Sequence, residues 1–233
     1  MNEVLDKILL GDNVCKDFYE NYNKKQFKDW LLSILPEVED CRVQQQDNPW
    51  HIYSCLDHIL HSVEEINKQT KGMLLANRRV LAYTMFLHDI GKPSCYLRRF
   101  SKLYDREVDS FFGHNKASEE IAKRVLQDFN FNKQERREIR LLVNEHDIFM
   151  FMVLEDDGNK FHHVVNNELI DEYIKRFNQV GNGQKLMKWL VKVGIADNKA
   201  QNPEMTKNAM KVIDVISNIL YEKHGSKNNE ERE

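Results

Sequence analysis

Hydrophobic residues recur at helical spacing along most of this chain, and several of the resulting stripes run into a histidine or an aspartate. The most apolar run, LLANRRVLAYTMFLHDIGKP from Leu74 to Pro93, ends on His88 and Asp89. Gly91 is suited to a left-handed C-terminal position and Pro93 cannot continue a helix, which predicts both residues in the last turn. Leu186, Trp189/Leu190 and Val193 form a stripe whose next member is Asp197, and Ile139 and Val143 lead in the same way to His146. His114, just after Gly113, stands one turn ahead of Ala117, Ile121 and Val125. Upstream, WHIYSCLDHILHSVEEI reads as an amphipathic helix with Ile52, Cys55, Ile59, Val63 and Ile66 on one face. No alternating run long enough for a useful strand is present, so the class is all-α.

A polar group on an apolar stripe costs free energy unless it is paired. For any single residue the ordinary reading is a hydrogen-bonded core or boundary side chain. That reading is weakest for Asp197, because unpaired carboxylates are buried less often than histidines. In the upstream helix His58 is the candidate ligand. His51, seven residues earlier on the same side, suits a supporting or substrate-facing role, while His61 on the opposite flank is expected to be solvated, as are His162 and His163. His58, His88, Asp89, His114, His146 and Asp197 thus form one candidate site, with a metal as the most plausible partner. A histidine-aspartate dipeptide alone means little, since His146-Asp147 is a second one in the same chain.

A chain of 233 residues with 41% hydrophobic content can bury a full core, and no repeat, low-complexity linker or domain break interrupts it. Residues 1–35 are read as an N-terminal helical extension packed on the core, 36–222 as the main domain and 223–233 as a polar, frayed tail. No signal-like or membrane-spanning segment is seen, so a cytoplasmic protein is expected. Cys15, Cys41, Cys55 and Cys95 lack paired spacing and fit free thiols in a reducing compartment. A net charge of −3 argues against broad nucleic-acid coating. Between Lys71 and Arg140, however, fifteen Lys and Arg face nine Asp and Glu. Solvated faces such as KQERREIR explain much of that surplus. Lys92, Arg98, Arg99 and Lys102 follow the His88-Asp89 dipeptide directly and are the better candidates for a phosphate-bearing substrate.

The order H…HD…H…H…D, with HDIGKP around the dipeptide, resembles the HD-domain metal-dependent phosphohydrolases. More closely, the stretch from Pro36 to Gln201 is similar to the HD region that follows the nucleotidyltransferase head in many bacterial tRNA nucleotidyltransferases and poly(A) polymerases. The matching strings are LPEVEDCRVQQQDNPWHIYSCLDHIL, FLHDIGKPSC, FFGHNKASEEIA, IRLLVNEHD and VKVGIADNKAQ. The resemblance implies an HD-domain helical bundle with His58, His88, Asp89 and Asp197 around one metal and His114 and His146 completing a second. It departs in three places. Nothing before Pro36 looks like the head, so nucleotide addition is not expected; Ser110 stands where the relatives often have a histidine; and Arg98 to Asp109 lacks the expected glycine turn.

Four imidazoles and two carboxylates suit one or two divalent transition metals (Mn, Fe, Co, Ni or Zn) better than Mg or Ca. Asp89 is the natural bridge. Two ions roughly 4 Å apart would activate a water for in-line attack on phosphorus while holding the phosphoryl oxygens. By the family pattern Lys92 would neutralise phosphate charge, and His51 could steer the leaving oxygen. The expected activity is hydrolysis of a phosphomonoester or phosphodiester of a nucleotide or RNA end, including 2′,3′-cyclic phosphates. The alternatives are a non-catalytic RNA-binding or subunit-interaction module and a di-iron oxygenase. The sequence leaves the oligomeric state open.

Overall fold

Four of the longer helices begin where a side chain satisfies free amides of the first turn. Ser54 accepts from the amide of Asp57 and opens α5 (Cys55–Thr70). Asn132 opens α8 (Lys133–Glu145) with a reciprocal capping box to Glu135. Asn166 and Asn182 cap α9 (Asn167–Phe177) and α10 (Gly183–Lys199) in the same way. The remaining helices are α1 (Asn2–Leu9), α2 (Val14–Tyr22), α3 (Lys25–Ile34), α4 (Glu37–Val43), α6 (Leu75–Leu87), α7 (His114–Val125) and α11 (Pro203–His224). This is a computed structural model in which residues 1–224 are described. Eleven α-helices and two small two-stranded sheets among the described residues make it an all-α bundle. None of these helices is long and apolar enough to cross a membrane.

The bundle is built around α6, where every residue from Val80 to Leu87 is buried. It packs against α5 and α8, and α10 closes the group by lying against α5, α8, α9 and α11. The first three helices share this core. Phe18 lies 6.1 Å from Phe86, Asn67 Nδ2 donates to the carbonyls of Leu9 and Gly11, and Asp6 accepts from Tyr83 and Arg79. Each fully buried Leu, Ile or Phe in such a core contributes about 1.5–3 kcal/mol.

Four expectations are corrected here. The chain has a real hairpin: β1 (Leu97–Ser101) pairs antiparallel with β2 (Arg106–Ser110), and the missing glycine is replaced by Asp105 at φ +48°. A second pairing, β3 (Met152–Val153) with β4 (His163–Val164), is parallel and only two residues long. Ile52 and His51 are outside α5; Ile52 is exposed, because the segment before Ser54 is a loop held by Asn48. Gly91 has φ −86°, so left-handed freedom is not its purpose. A Cβ there would come within 2.5 Å of Ser118 N and 2.8 Å of Ala117 C, so only glycine lets this turn lie against α7. Finally, α11 continues through His224, and residues 225–233 of the polar tail lie outside the described residues.

Candidate metal centre

Helix ends deliver the ligands. His88 is the C-cap of α6 and His146 the C-cap of α8, while His114 is the first residue of α7. Asp197 is in the last turns of α10 and His58 in the first turn of α5. The turn after α6 is fixed from three sides. Cys55 Sγ donates to the Asp89 carbonyl at 3.7 Å, Cys41 Sγ to that of Ile90 at 3.6 Å, and Gly91 N donates to Ser118 Oγ at 2.9 Å.

All four histidines present the same nitrogen to the centre. His88 Nδ1 lies 2.6 Å from Met85 O, His146 Nδ1 2.7 Å from Val143 O, His114 Nδ1 2.9 Å from Phe111 O and His58 Nδ1 3.1 Å from Ala200 O. A carbonyl only accepts, so each Nδ1 carries a proton, and in its neutral form each ring turns an Nε2 lone pair inward. His58 Nε2 is 3.2 Å from His88 Nε2, 3.1 Å from Asp89 Oδ2 and 3.0 Å from Asp197 Oδ1. His114 Nε2 is 3.2 Å from His146 Nε2 and 3.0 Å from Asp89 Oδ1. Two lone pairs at that distance repel unless a cation lies between them. On metal bonds of about 2.1 Å, donors at right angles are about 3.0 Å apart and tetrahedral ones about 3.4 Å.

The groups therefore could hold a metal ion, and a second observation fits. Asp89 Oδ1 is buried without a hydrogen-bond partner, although the Nε2 atoms of His114 and His146 lie 3.0 and 3.5 Å away. Asp89 turns Oδ2 to one histidine pair and Oδ1 to the other. The same field attracts protons. Burial works against charged imidazoles, but Asp197 and Asp89 outweigh it and push His58 and His88 up to about 9. The carboxyls of Asp89 and Asp197 are held well below their usual range despite burial, by His88 and Lys92 for the first and by His58 and His88 for the second. No protein-family model and no curated protein matches this chain.

One residue of the centre was not singled out from the sequence. Asp147 Oδ2 lies 3.2 Å from His114 Nε2 and its Oδ1 3.3 Å from His146 Nε2, giving the second group a carboxylate of its own. The only signal was the second histidine-aspartate dipeptide; Asp147 sits in a 3-10 turn (His146–Phe151), where a 3.6-residue stripe no longer points.

Lys92 and His51 flank the first group. Lys92 is buried, and its ammonium donates to Asp89 Oδ2 at 2.5 Å, Gln46 Oε1 at 2.9 Å and His51 Nε2 at 2.9 Å. Burial disfavours that charge, yet Asp89 more than restores it and the pKa is raised. His51 donates from Nδ1 to Asn48 Oδ1 and is kept neutral, its pKa well lowered by burial, then by Lys92 and His58. Arg98 is spent on Asp109 and Asp47. Arg99 is exposed on the hairpin and Lys102 in its turn; neither has an ion-pair partner among the described residues. On the other side, a groove of about 580 Å³ is lined by Ile52, Gln201, Met210, Lys199, Lys207 and Lys211. Gln201 joins it to the centre by donating to Asp197 Oδ1 at 3.0 Å. His162 and His163 stand apart, the former bound to Asp157. His61 is not solvated as expected but half-buried beside Cys15 and Glu64.

Proposed function

We propose that the chain is a metal-dependent phosphohydrolase of the HD type that cleaves a phosphoester of a nucleotide or an RNA end. The observation that carries this reading is the meeting of four Nε2 lone pairs around the two oxygens of one buried carboxylate, Asp89. Such a bridged pair of groups is the arrangement that two-metal phosphoester hydrolysis requires. His58, His88, Asp89 and Asp197 would hold one ion; His114, His146, Asp89 and Asp147 the other. The nitrogen-rich donor set favours Mn, Fe, Co, Ni or Zn over Mg or Ca. When bound, such ions supply an activated water and Lewis-acid stabilisation of charge on phosphorus.

The chain's own residues do the rest. Lys92 is aimed at the edge of Asp89 and trades one of its neutral acceptors, Gln46 or His51, for an incoming phosphoryl oxygen. His51 accepts from Lys92 at Nε2 while Asn48 holds its other nitrogen, so it keeps the ammonium pointed at the leaving oxygen. The lysines of the groove beside Asp197, with Arg99 and Lys102 on the hairpin, suit a polyanionic substrate that extends past the reacting phosphate.

The test is a phosphatase and phosphodiesterase screen of chelator-stripped protein reloaded with each divalent metal in turn, using nucleotides and RNAs with terminal monoester or cyclic phosphates. Metal-dependent turnover that is lost in Asp89→Ala is the expected result. A chain that takes up no Mn, Fe, Co, Ni or Zn, or that takes them up and hydrolyses none of these esters, overturns the reading.

A further inference from the structure

Away from the centre, three ligand-type side chains converge where the N-terminal helices meet α5. Cys15 is in the first turn of α2, and His61 and Glu64 are one turn apart on α5. Cys15 Sγ is 3.5 Å from His61 Nδ1, and Glu64 Oε2 is 3.2 Å from the same nitrogen. The other carboxylate oxygen, Oε1, accepts the Cys15 amide at 3.0 Å, which locks Glu64 in place. The Tyr53 ring lies 4.3 Å from the His61 ring and restrains its rotation.

A thiol, an imidazole and a carboxylate in contact invite comparison with a nucleophilic triad, and the geometry excludes one. In a triad the nucleophile faces one ring nitrogen and the acid the other, so that a proton can pass through the ring. Here both face Nδ1. A single N–H there can serve only one of them well. The thiol is also pushed the wrong way for a nucleophile, up to about 12, first by burial and then by the charges of Glu64 and Asp57.

What one nitrogen cannot satisfy, one cation can. With bonds of about 2.3 Å to sulfur, 2.0–2.1 Å to nitrogen and 2.0–2.2 Å to oxygen, a tetrahedral ion sets sulfur and nitrogen about 3.5 Å apart and nitrogen and oxygen about 3.4 Å apart. The observed separations are 3.5 and 3.2 Å. Among the described residues no Lys or Arg lies within ion-pair distance of Glu64, whose charge faces His61 and Cys15. His61 and Glu64 keep 33% and 19% of their side-chain surfaces exposed, which leaves a way in.

We propose that Cys15 Sγ, His61 Nδ1 and Glu64 Oε2 form a separate site for one thiophilic divalent cation of the Zn²⁺ class, pinning α2 to α5. On loading, the thiol gives its proton to solvent, and His61 carries its proton on Nε2. The role is structural: a clamp between the N-terminal helices and the bundle, independent of the hydrolytic reading.

Cobalt separates this site from the other, because none of the ligands at the Asp89 centre is sulfur. Chelator-stripped full-length chain is titrated with Co²⁺ while the thiolate-to-cobalt charge-transfer absorption is followed in the near ultraviolet. The band is expected in the wild type and in Asp89→Ala, and lost in Cys15→Ser together with one equivalent of bound cobalt. It is also expected to be lost in His61→Ala, which keeps the thiol. Zn²⁺ is expected to protect Cys15 from alkylation, read by peptide mass, without any variant. Absence of the band at saturating cobalt, its survival in Cys15→Ser, or alkylation of Cys15 unchanged by Zn²⁺ overturns the proposal.

Discussion

Replacing Gly91 by alanine tests how the two halves of the candidate metal centre are kept in register. The added methyl would stand 2.5 Å from Ser118 N and 2.8 Å from Ala117 C, both backbone atoms of α7, where ordinary contact begins at 3.4 Å. Relief therefore needs a relative shift of about 0.9 Å, the difference between 2.5 and 3.4 Å, and no flexible side chain can absorb it. Overpacking of this kind costs about 1–3 kcal/mol. For a chain of this size that is a fall in melting temperature of about 2–12 °C. His114 begins the same helix and moves with it, while Asp89, two residues before Gly91, stays with α6. Their 3.0 Å separation would stretch well beyond the roughly 0.2 Å that metal–ligand distances tolerate. Calorimetric titration with Mn²⁺ or Co²⁺ is expected to show the ion at His114, His146 and Asp147 weakened about tenfold or more, and the ion at His58, His88 and Asp197 little changed. Gly72→Ala is the control, because nothing lies within 4 Å of its added carbon. If Gly91→Ala melts with the wild type and binds two equivalents with unchanged affinity, the register is not set at this contact.

Three further outcomes follow from the same geometry. Asp89→Ala is expected to lower the metal content of both groups and Asp147→Ala that of one, as read by elemental analysis after dialysis; equal losses would refute the bridging role of Asp89. Lys92→Ala is expected to keep its metal and to raise KM or lower kcat/KM by about ten- to hundredfold, the value of a charge-assisted phosphate contact, with weaker dependence on salt; unchanged kinetics would move phosphate recognition to Arg99, Lys102 or the groove lysines. Glu39 ties α4 to α2 by accepting from Tyr22, and Arg42 on its own helix together with Tyr22 holds its carboxyl at about 2 against an ordinary 4.5. A lowered carboxyl stabilises fully above 4.5 and loses that contribution as pH falls toward 2. The gap in denaturation midpoint between wild type and Glu39→Gln should therefore be widest near neutrality and close on acidification.

Stripe-following served where a ligand continues a helix. Asp197, His146 and His114 lie on or at the ends of regular α-helices, and there the 3.6-residue period carries through to the side chain that turns inward. It failed where the backbone leaves that period. His51 belongs to a loop arranged by Asn48, Asp147 to a 3-10 turn, and neither follows a repeat. The hairpin was hidden because LRRFS does not alternate and because Asp105, not glycine, takes the positive φ. Gly91 illustrates a third kind of limit. Local sequence suggests a cap, whereas its reason for being glycine is a contact with Ser118 of α7, 27 residues later. That His61 meets Cys15 could not be read either, since only the folding of α2 onto α5 brings them together.

The uneven depth of the two ligand groups has a kinetic consequence. His58 and His88 have no exposed surface, whereas Asp147 leaves 21% of its side chain open to solvent. An ion held in the deep group would leave more slowly, since its exit would call on motion at the ends of α5, α6 and α10, and its residence time should lengthen as the bundle is stabilised. An ion held in the shallow group would be more open to exchange, beginning at Asp147 and His114, which keep 21% and 12% of their side chains exposed. The two positions would then equilibrate with the surroundings on different clocks, the inner one retaining the metal acquired during folding and the outer one sampling whatever the solution offers.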